Sequence, residues 1–214
     1  MKFRAVVFDI DGVLVEPVSS WRYLHEQIGI WDALACRYQE QFLAGRITYR
    51  RFCELDAAHW KGLSEQRVRR VFDAVPYARN AVDTVRELKK HGLRLIALST
   101  GLQFIPDRIR KDLGFARVVS NRLVVRNGLL TGGVTIRIPH DGKGRALKAV
   151  LHALGLPLEE TVSVGDSAGD IPMMRATGHS IAFNALCPET KKVADHVCRT
   201  RDLHEVLEHL LSLL

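Results

Sequence analysis

Cysteine is scarce in this chain: Cys36, Cys53, Cys187 and Cys198 are the only four in 214 residues, and no two form a C-x-x-C pair. A disulfide framework is therefore excluded, because a chain that is 47% hydrophobic can build its own core without one. No cysteine pair has the spacing of zinc ligands, so all four read as buried thiols, with a zinc site assembled from distant cysteines and histidines as the alternative. Long apolar runs are missing as well, and none reaches the length that spans a bilayer. The opening Met-Lys-Phe-Arg leads directly into a short apolar run at residues 5–8, too brief for a secretory signal. A cytoplasmic protein without membrane contact is expected. Low-complexity tracts are absent and charged residues make up 26%, which excludes the composition of a disordered chain.

The formal charge of +7 raises the question of nucleic acid. The positive charge is dispersed, however. Its densest groups are Arg50 with Arg51, and Arg67 with Arg69 and Arg70, and no nucleic-acid-binding motif accompanies them. A solvated helix face is the expectation, with no nucleic-acid partner. A non-catalytic basic binding module is the competing reading from a different functional class.

The run Ala5-Val6-Val7-Phe8 has no polar alternation, as suits a parallel strand buried on both faces. Similar runs recur at residues 93–98, 161–164 and 180–183, separated by helical stretches at 81–91 and 143–154. Strands alternating with helices imply a doubly wound α/β sheet. Gly92, and Gly155 followed by Pro157, stop two of the helices. Leu203, Val206, Leu207, Leu210, Leu211 and Leu214 recur at helical spacing and predict a terminal amphipathic helix.

Between residues 16 and 76 the pattern changes to helix-like segments punctuated by aromatics, including Trp21, Tyr38, Phe52 and Trp60. This stretch reads as an all-helical insertion with hinges at Pro17 and Pro76, inside a core formed by residues 1–15 and 77–214. Two alternating runs around Asn127-Gly128 predict a projecting β-hairpin.

Four short segments carry candidate chemistry. Asp9-Ile10-Asp11-Gly12-Val13 sets two carboxylates two residues apart after a buried strand, pointing the same way while the chain stays extended. Gly165-Asp166-Ser167-Ala168-Gly169-Asp170 adds two more acids after another strand. In open α/β sheets ligands sit beyond the carboxyl ends of the strands, so the loops can meet there and offer hard oxygens of the kind magnesium prefers. Ser99-Thr100-Gly101, read as ending the strand at 93–98, supplies a hydroxyl and backbone N–H groups able to hold an oxyanion. Lys143 opens a helix and adds a cation. Each segment alone is a common turn or surface feature; together, in order and each at a strand end or helix start, they point to phosphoryl chemistry.

These motifs resemble those of the haloacid dehalogenase (HAD) superfamily, whose phosphatases carry an Asp-x-Asp-Gly loop, a Ser/Thr loop, a lysine and a Gly-Asp-x-x-x-Asp loop. The resemblance covers nearly the whole chain. It is closest to the phosphoserine phosphatase branch through Asn121-Arg122-Leu123, Leu130-Thr131-Gly132, Lys143-Gly144, residues 161–166 and Arg201-Asp202-Leu203.

The resemblance implies a Rossmann-like HAD core with a parallel sheet, a small helical cap and a hairpin flap. It further implies a phosphoric monoester hydrolase acting on a small phosphorylated metabolite. Asp9 is then the nucleophile that forms an aspartyl-phosphate, and Asp11 the acid and base. Ser99 and Lys143 hold the phosphoryl group together with Gly12, Thr100 and Gly101. Mg2+ is held by Asp9, the Asp11 carbonyl and Asp166, and Asp170 orients the metal's surroundings.

An acid at Asp11 sets the chain apart from dehalogenases and from transport ATPases. A phosphotransferase on the same scaffold is the catalytic alternative.

Three positions depart from the pattern. Where phosphoserine phosphatases carry a cap arginine for the substrate carboxylate, this chain has Asp56. The expected cap glutamate is not in register, Glu16 being nearest, and Gly169 replaces an asparagine. Trp60 reads as cap core and Lys61 as solvated, with a specificity patch formed with Asp56 as the alternative. The physiological substrate is left open, as is the choice between monomer and homodimer.

Overall fold

A computed structural model describes residues 2–185 and 187–214. Seven strands form one sheet in the order β4-β3-β2-β1-β5-β6-β7. They are β1 (Ala5–Phe8), β2 (Arg94–Leu102), β3 (Arg117–Arg126), β4 (Leu129–Thr135), β5 (Thr161–Gly165), β6 (His179–Ala182) and β7 (His196–Val197). All neighbours pair parallel except β3 and β4, the two arms of the hairpin. The doubly wound sheet expected from the alternating runs is present, and β1, buried along its whole length, lies at its centre.

Because strand side chains alternate, the sheet divides its apolar residues between two layers. Val6, Phe8, Leu95 and Ala97 face a core shared with α5 (Ala81–Lys90), α6 (Phe104–Leu113) and α10 (Leu203–Ser212). Ala5, Val7, Ile96 and Leu98 face the other way, onto α7 (Lys143–Leu154) and α8 (Ile171–Met174). Leu203, Val206, Leu207 and Leu210 are the buried stripe of α10, as their spacing predicted, whereas Leu211 is exposed. Helix α9 (Pro188–Val193) precedes the short edge strand β7.

Between β1 and β2 lie α1 (Ser20–Gln27), a single π-helical turn (Trp31–Ala35), α2 (Cys36–Leu43), α3 (Tyr49–His59) and α4 (Glu65–Asp73). Ser19 and Thr48 cap α1 and α3 by accepting from the backbone N–H groups three residues on. The two chain segments that enter and leave this helical layer run side by side, with a bridge from Val15 to Tyr77 and Glu16 N–H donating to Pro76 O. Its apolar residues Trp21, Leu24, Phe52, Trp60 and Phe72 merge with the core of the sheet.

The hairpin turns at Asn127-Gly128, both with positive φ (51° and 74°), as the tight two-residue turns require. Its tip does not stand free. Gly62 N–H donates to Leu130 O, Leu130 N–H to Leu63 O and Glu65 N–H to Gly128 O, so the hairpin is bonded to the loop between α3 and α4.

Two sequence expectations are corrected. Ser99-Thr100-Gly101 is no loop beyond a strand ending at residue 98, because β2 continues to Leu102. Between Leu98↔Val119 and Leu102↔Asn121 the chain advances four residues on β2 but two on β3, so this segment is a bulge. The cysteines are not all buried: only Cys53 is, while Cys36, Cys187 and Cys198 are half-buried, and no disulfide joins any of them.

Candidate active site

The adjacent strands β2, β1 and β5 deliver Ser99, Asp9 and Asp166 to one edge of the sheet. Asp9 follows β1 and its N–H donates to Val164 O of β5, which draws the Asp9–Gly12 loop and the Gly165-Asp166 loop together. Gly12 makes this approach possible. Its φ of 80° suits glycine, and a Cβ there would run into the Asp166 carboxylate.

Asp9 Oδ1 accepts from Ile10 N–H at 2.7 Å and lies 2.7 Å from Lys143 Nζ. Lys143 is 2% exposed at the start of α7 and bonds a second acid, Asp170 Oδ1, at 2.5 Å. Asp170 Oδ2 accepts from the N–H of Asp166 and Ser167 and from Ser167 Oγ, at 3.0–3.1 Å. Both Asp170 oxygens are thus occupied in holding the lysine and the loop. Asp9 and Asp166, 5% and 6% exposed, are the carboxylates left facing each other.

Asp11 turns toward the helical layer. Its Oδ2 accepts from Ser20 N–H at 2.7 Å, and its Oδ1 is buried with no hydrogen-bond partner. Ser20 Oγ in turn accepts from Leu102 N–H. In the bulge, Gly101 N–H donates to Ser99 Oγ at 2.8 Å, so this N–H is already committed within the segment. A Cβ on Gly101 would collide with Ser20, Asp11 and Ser99, which explains the glycine. The Thr100 carbonyl takes three donors, Trp21 Nε1, Tyr49 Oη and Asn121 Nδ2, at 2.9–3.1 Å.

Four carboxyl groups, Asp9, Asp11, Asp166 and Asp170, surround one ammonium in a site with little solvent. Burial, and then the charge of Asp170, push Asp9 up to about 7 against the opposing effect of Lys143. Burial, with the charges of Asp9 and Asp170, pushes Asp166 up to about 9. Burial also raises Asp11, against the Ser20 N–H bond. For Lys143 burial works downward, but Asp170 and Asp9 overcome it and hold the ammonium above its ordinary range.

Such an excess of buried negative charge calls for protons or a cation. Carboxylate oxygens of Asp9, Asp166 and Asp170 lie within 4.8 Å of one another, an all-oxygen set that fits a hard divalent ion such as Mg2+. The Asp11 carboxylate is not part of this group.

The haloacid dehalogenase-like hydrolase family profile matches residues 6–175. The chain belongs to the haloacid dehalogenase-like hydrolase family. A phosphoserine phosphatase of Methanocaldococcus jannaschii is 29% identical over 98% of this hydrolase and 98% of the relative. One from Streptococcus thermophilus is 31% identical over 96% and 94%. A solved structure described as a phospho-aspartyl intermediate analogue of phosphoserine phosphatase superposes with a TM-score of 0.85 at 28% identity. It covers 98% of this hydrolase and 99% of that chain. The hydrolase is phosphoserine phosphatase-like in sequence and fold, and by class a HAD-type phosphatase, a phosphoric monoester hydrolase.

The positions that departed from the branch pattern sit as follows in this hydrolase. Asp56 is buried in the helical layer, its Oδ1 3.2 Å from His25 Nε2 but without a well-aligned hydrogen bond. Glu16 is exposed at the entry to the helical layer, and Ser20 is the residue that reaches Asp11. Trp60 is fully buried, stacked on Trp21 with ring centroids 5.6 Å apart, and Lys61 is exposed, as the packing reading expected.

Sequence reasoning did not single out Ser20 and gave Tyr49 and Asn121 no role at the site. Asn121 carried a signal, as part of the resemblance. Its Oδ1 accepts from Arg137 and Ile138 N–H, tying β3 to the chain leading toward Lys143.

Proposed function

We propose that this phosphatase hydrolyses a small phosphomonoester through an aspartyl-phosphate on Asp9. The observation that carries the reading is the division of labour between two acids two residues apart. Asp9 is fixed by Lys143 and Ile10 N–H through Oδ1, while Asp11 keeps a buried, unpartnered oxygen on a carboxyl that burial holds toward its protonated form. A fixed nucleophile beside a protonated acid is what phosphoryl transfer to an enzyme carboxylate needs.

In the first step Asp9 Oδ2 attacks phosphorus, the P–O bond to the leaving group breaks, and Asp11 gives its proton to the departing alkoxide. In the second step water attacks phosphorus, Asp11 takes the water's proton, and the bond from phosphorus to Asp9 breaks to release phosphate. The Ser20 N–H bond keeps Asp11 aimed through both steps. Lys143 and the Ser99 hydroxyl, with Gly12, Thr100 and Gly101 shaping the floor, bind the non-bridging oxygens. Asp170 positions Lys143 and the Asp166 loop. Mg2+, held by Asp9, the Asp11 carbonyl and Asp166, would neutralise carboxylate charge and polarise the phosphoryl group.

Residues 16–76 act as a cap over a core of residues 1–15 and 77–214. With Asp9, Lys143 and Asp166 almost wholly covered, substrate enters only when the cap swings away on the paired segments at Val15 and Tyr77. No helix among the described residues is long and apolar enough to cross a membrane. Phosphoserine is the first substrate to try, on the evidence of the relatives. With Asp56 engaged by His25, a substrate carboxylate finds no charge partner at that position.

The test is phosphate release from p-nitrophenyl phosphate, phosphoserine, sugar phosphates and nucleotides, with and without Mg2+, by the native protein and Asp9→Asn. Activity requiring both Asp9 and Mg2+ is expected. Activity indifferent to Asp9→Asn ends the proposal.

A further inference from the structure

At the sheet edge formed by β6 and β7, the chain gathers a second set of metal-ligating groups that the hydrolytic site does not use. A ring nitrogen of His196, the thiol of Cys198 and a carboxylate oxygen of Glu205 lie within 4.8 Å of one another. The topology explains the convergence. His196 and Cys198 are two residues apart on the extended chain of β7 and its continuation, so both point to the same side, and Cys198 N–H still donates to Ala182 O of β6. Glu205 lies on α10, which packs on that side, and His209 follows one helical turn later.

We propose that His196, Cys198 and Glu205 form a binding site for a borderline divalent transition metal, with zinc the best match. One imidazole, one thiolate and one carboxylate are zinc's protein ligands, and three of them leave a fourth position for water or for His209.

Three further observations support a ligand here. His196 Nε2 is buried and has no hydrogen-bond partner, a cost that a metal or a ring flip toward one would remove. Its ring stacks on that of His209 with centroids 3.7 Å apart, and His209 Nε2 lies 2.9 Å from His179 Nε2, so three imidazoles crowd one spot. Glu205 is also held in place from outside: Arg199 N–H donates to one oxygen, and Thr200 N–H and Oγ to the other, at 2.7–2.8 Å. Ligating carboxylates are oriented by such surrounding donors.

Binding exchanges the Cys198 S–H proton, released to solvent, for a sulfur–metal bond. Its consequence is structural. Strand β7 has two residues and pairs only with β6, and the metal would clamp it to α10.

The test uses untagged full-length protein with excess Mg2+ to occupy the carboxylate site, titrated with Co2+ as a spectroscopic substitute. A thiolate-to-cobalt charge-transfer band that saturates at one equivalent is expected, because the oxygen-only Asp9 site cannot produce it. The band should vanish in Cys198→Ser and in His196→Ala but persist in Cys187→Ser. Zn2+ at about 100 times its Kd should raise Tm by about 5 °C in the native protein and not in Cys198→Ser. Phosphatase activity of Cys198→Ser should equal that of the native protein, showing that the variant folds. No band, or a band that survives Cys198→Ser, overturns the proposal, and neither result bears on hydrolysis at Asp9.

Discussion

The carboxylate floor and the helical layer above it both bury acids, but they treat them differently. On the floor, Asp9 and Asp170 share one lysine, and Asp170 collects three further donors. In the helical layer, Asp56 faces His25, with His59 as a further imidazole near it, and both Asp56 and His25 retain buried atoms without hydrogen bonds. The first arrangement concentrates buried negative charge that protons or a cation must balance. The second is a polar pair inside a small aromatic core of Trp21, Phe52 and Trp60. Buried acids mark chemistry only where the surrounding groups orient them and leave one oxygen free to react.

The largest separation between the two regions comes from removing one oxygen on the floor. Asp9→Asn should lower kcat by at least roughly 10⁴-fold, measured as phosphate release, with Tm nearly unchanged or raised because an ionisable buried group is lost. Asp11→Asn should cost about 10²- to 10⁴-fold, and the loss should shrink for p-nitrophenyl phosphate, whose leaving group needs little protonation. Equal losses on all esters would remove Asp11 from the role of acid.

The same surgery in the helical layer should act on stability. His25→Ala leaves Asp56 unpaired and should destabilise the fold by about 3–5 kcal/mol in chemical denaturation, while His25→Phe combined with Asp56→Leu should be close to neutral. Turnover per folded molecule should not change in the double variant. A selective loss on one class of phosphate ester would instead make the pair a specificity device and dissolve the contrast.

The remaining contrast is one of pH. Asp9 and Asp166 rise in the folded state from 3.8 to about 7 and about 9. The folded chain therefore binds more protons than the unfolded one over that interval, so the metal-free protein loses stability as pH rises from about 4 to about 9. Mg2+ should restore Tm, and by more near pH 9 than near pH 6, because it replaces those protons. A Tm difference between Mg2+ and chelator that does not grow with pH would place the excess charge elsewhere.

Much of the floor was legible because each of its loops is local in sequence. A buried apolar run followed by Asp9-x-Asp11, or by Gly165-Asp166, states both where the strand ends and which side chain it delivers. The glycine stops at Gly92 and Gly155 and the Asn127-Gly128 turn were readable for the same reason: φ preferences act within a few residues. The bulge in β2 was not, because it exists only as a mismatch in register with β3, and the sequence alone reads Ser99 to Gly101 as a loop. Ser20 was invisible as a partner of Asp11, since nothing in Ser19-Ser20-Trp21 announces which strand end α1 will meet.

By itself, then, the order of apolar runs, acids and glycines determined the α/β class, the central strand, the hairpin and the acids delivered at the carboxyl ends of β1 and β5, because those depend on short-range geometry and on alternation of side chains. Only the tertiary structure decided that Lys143 bridges Asp9 and Asp170, that Asp56 turns inward to His25, and that His196, Cys198 and Glu205 meet on the far edge of the sheet. Those contacts join segments tens of residues or more apart, or strands to helices, and such pairings follow from how whole layers pack, which no local pattern encodes.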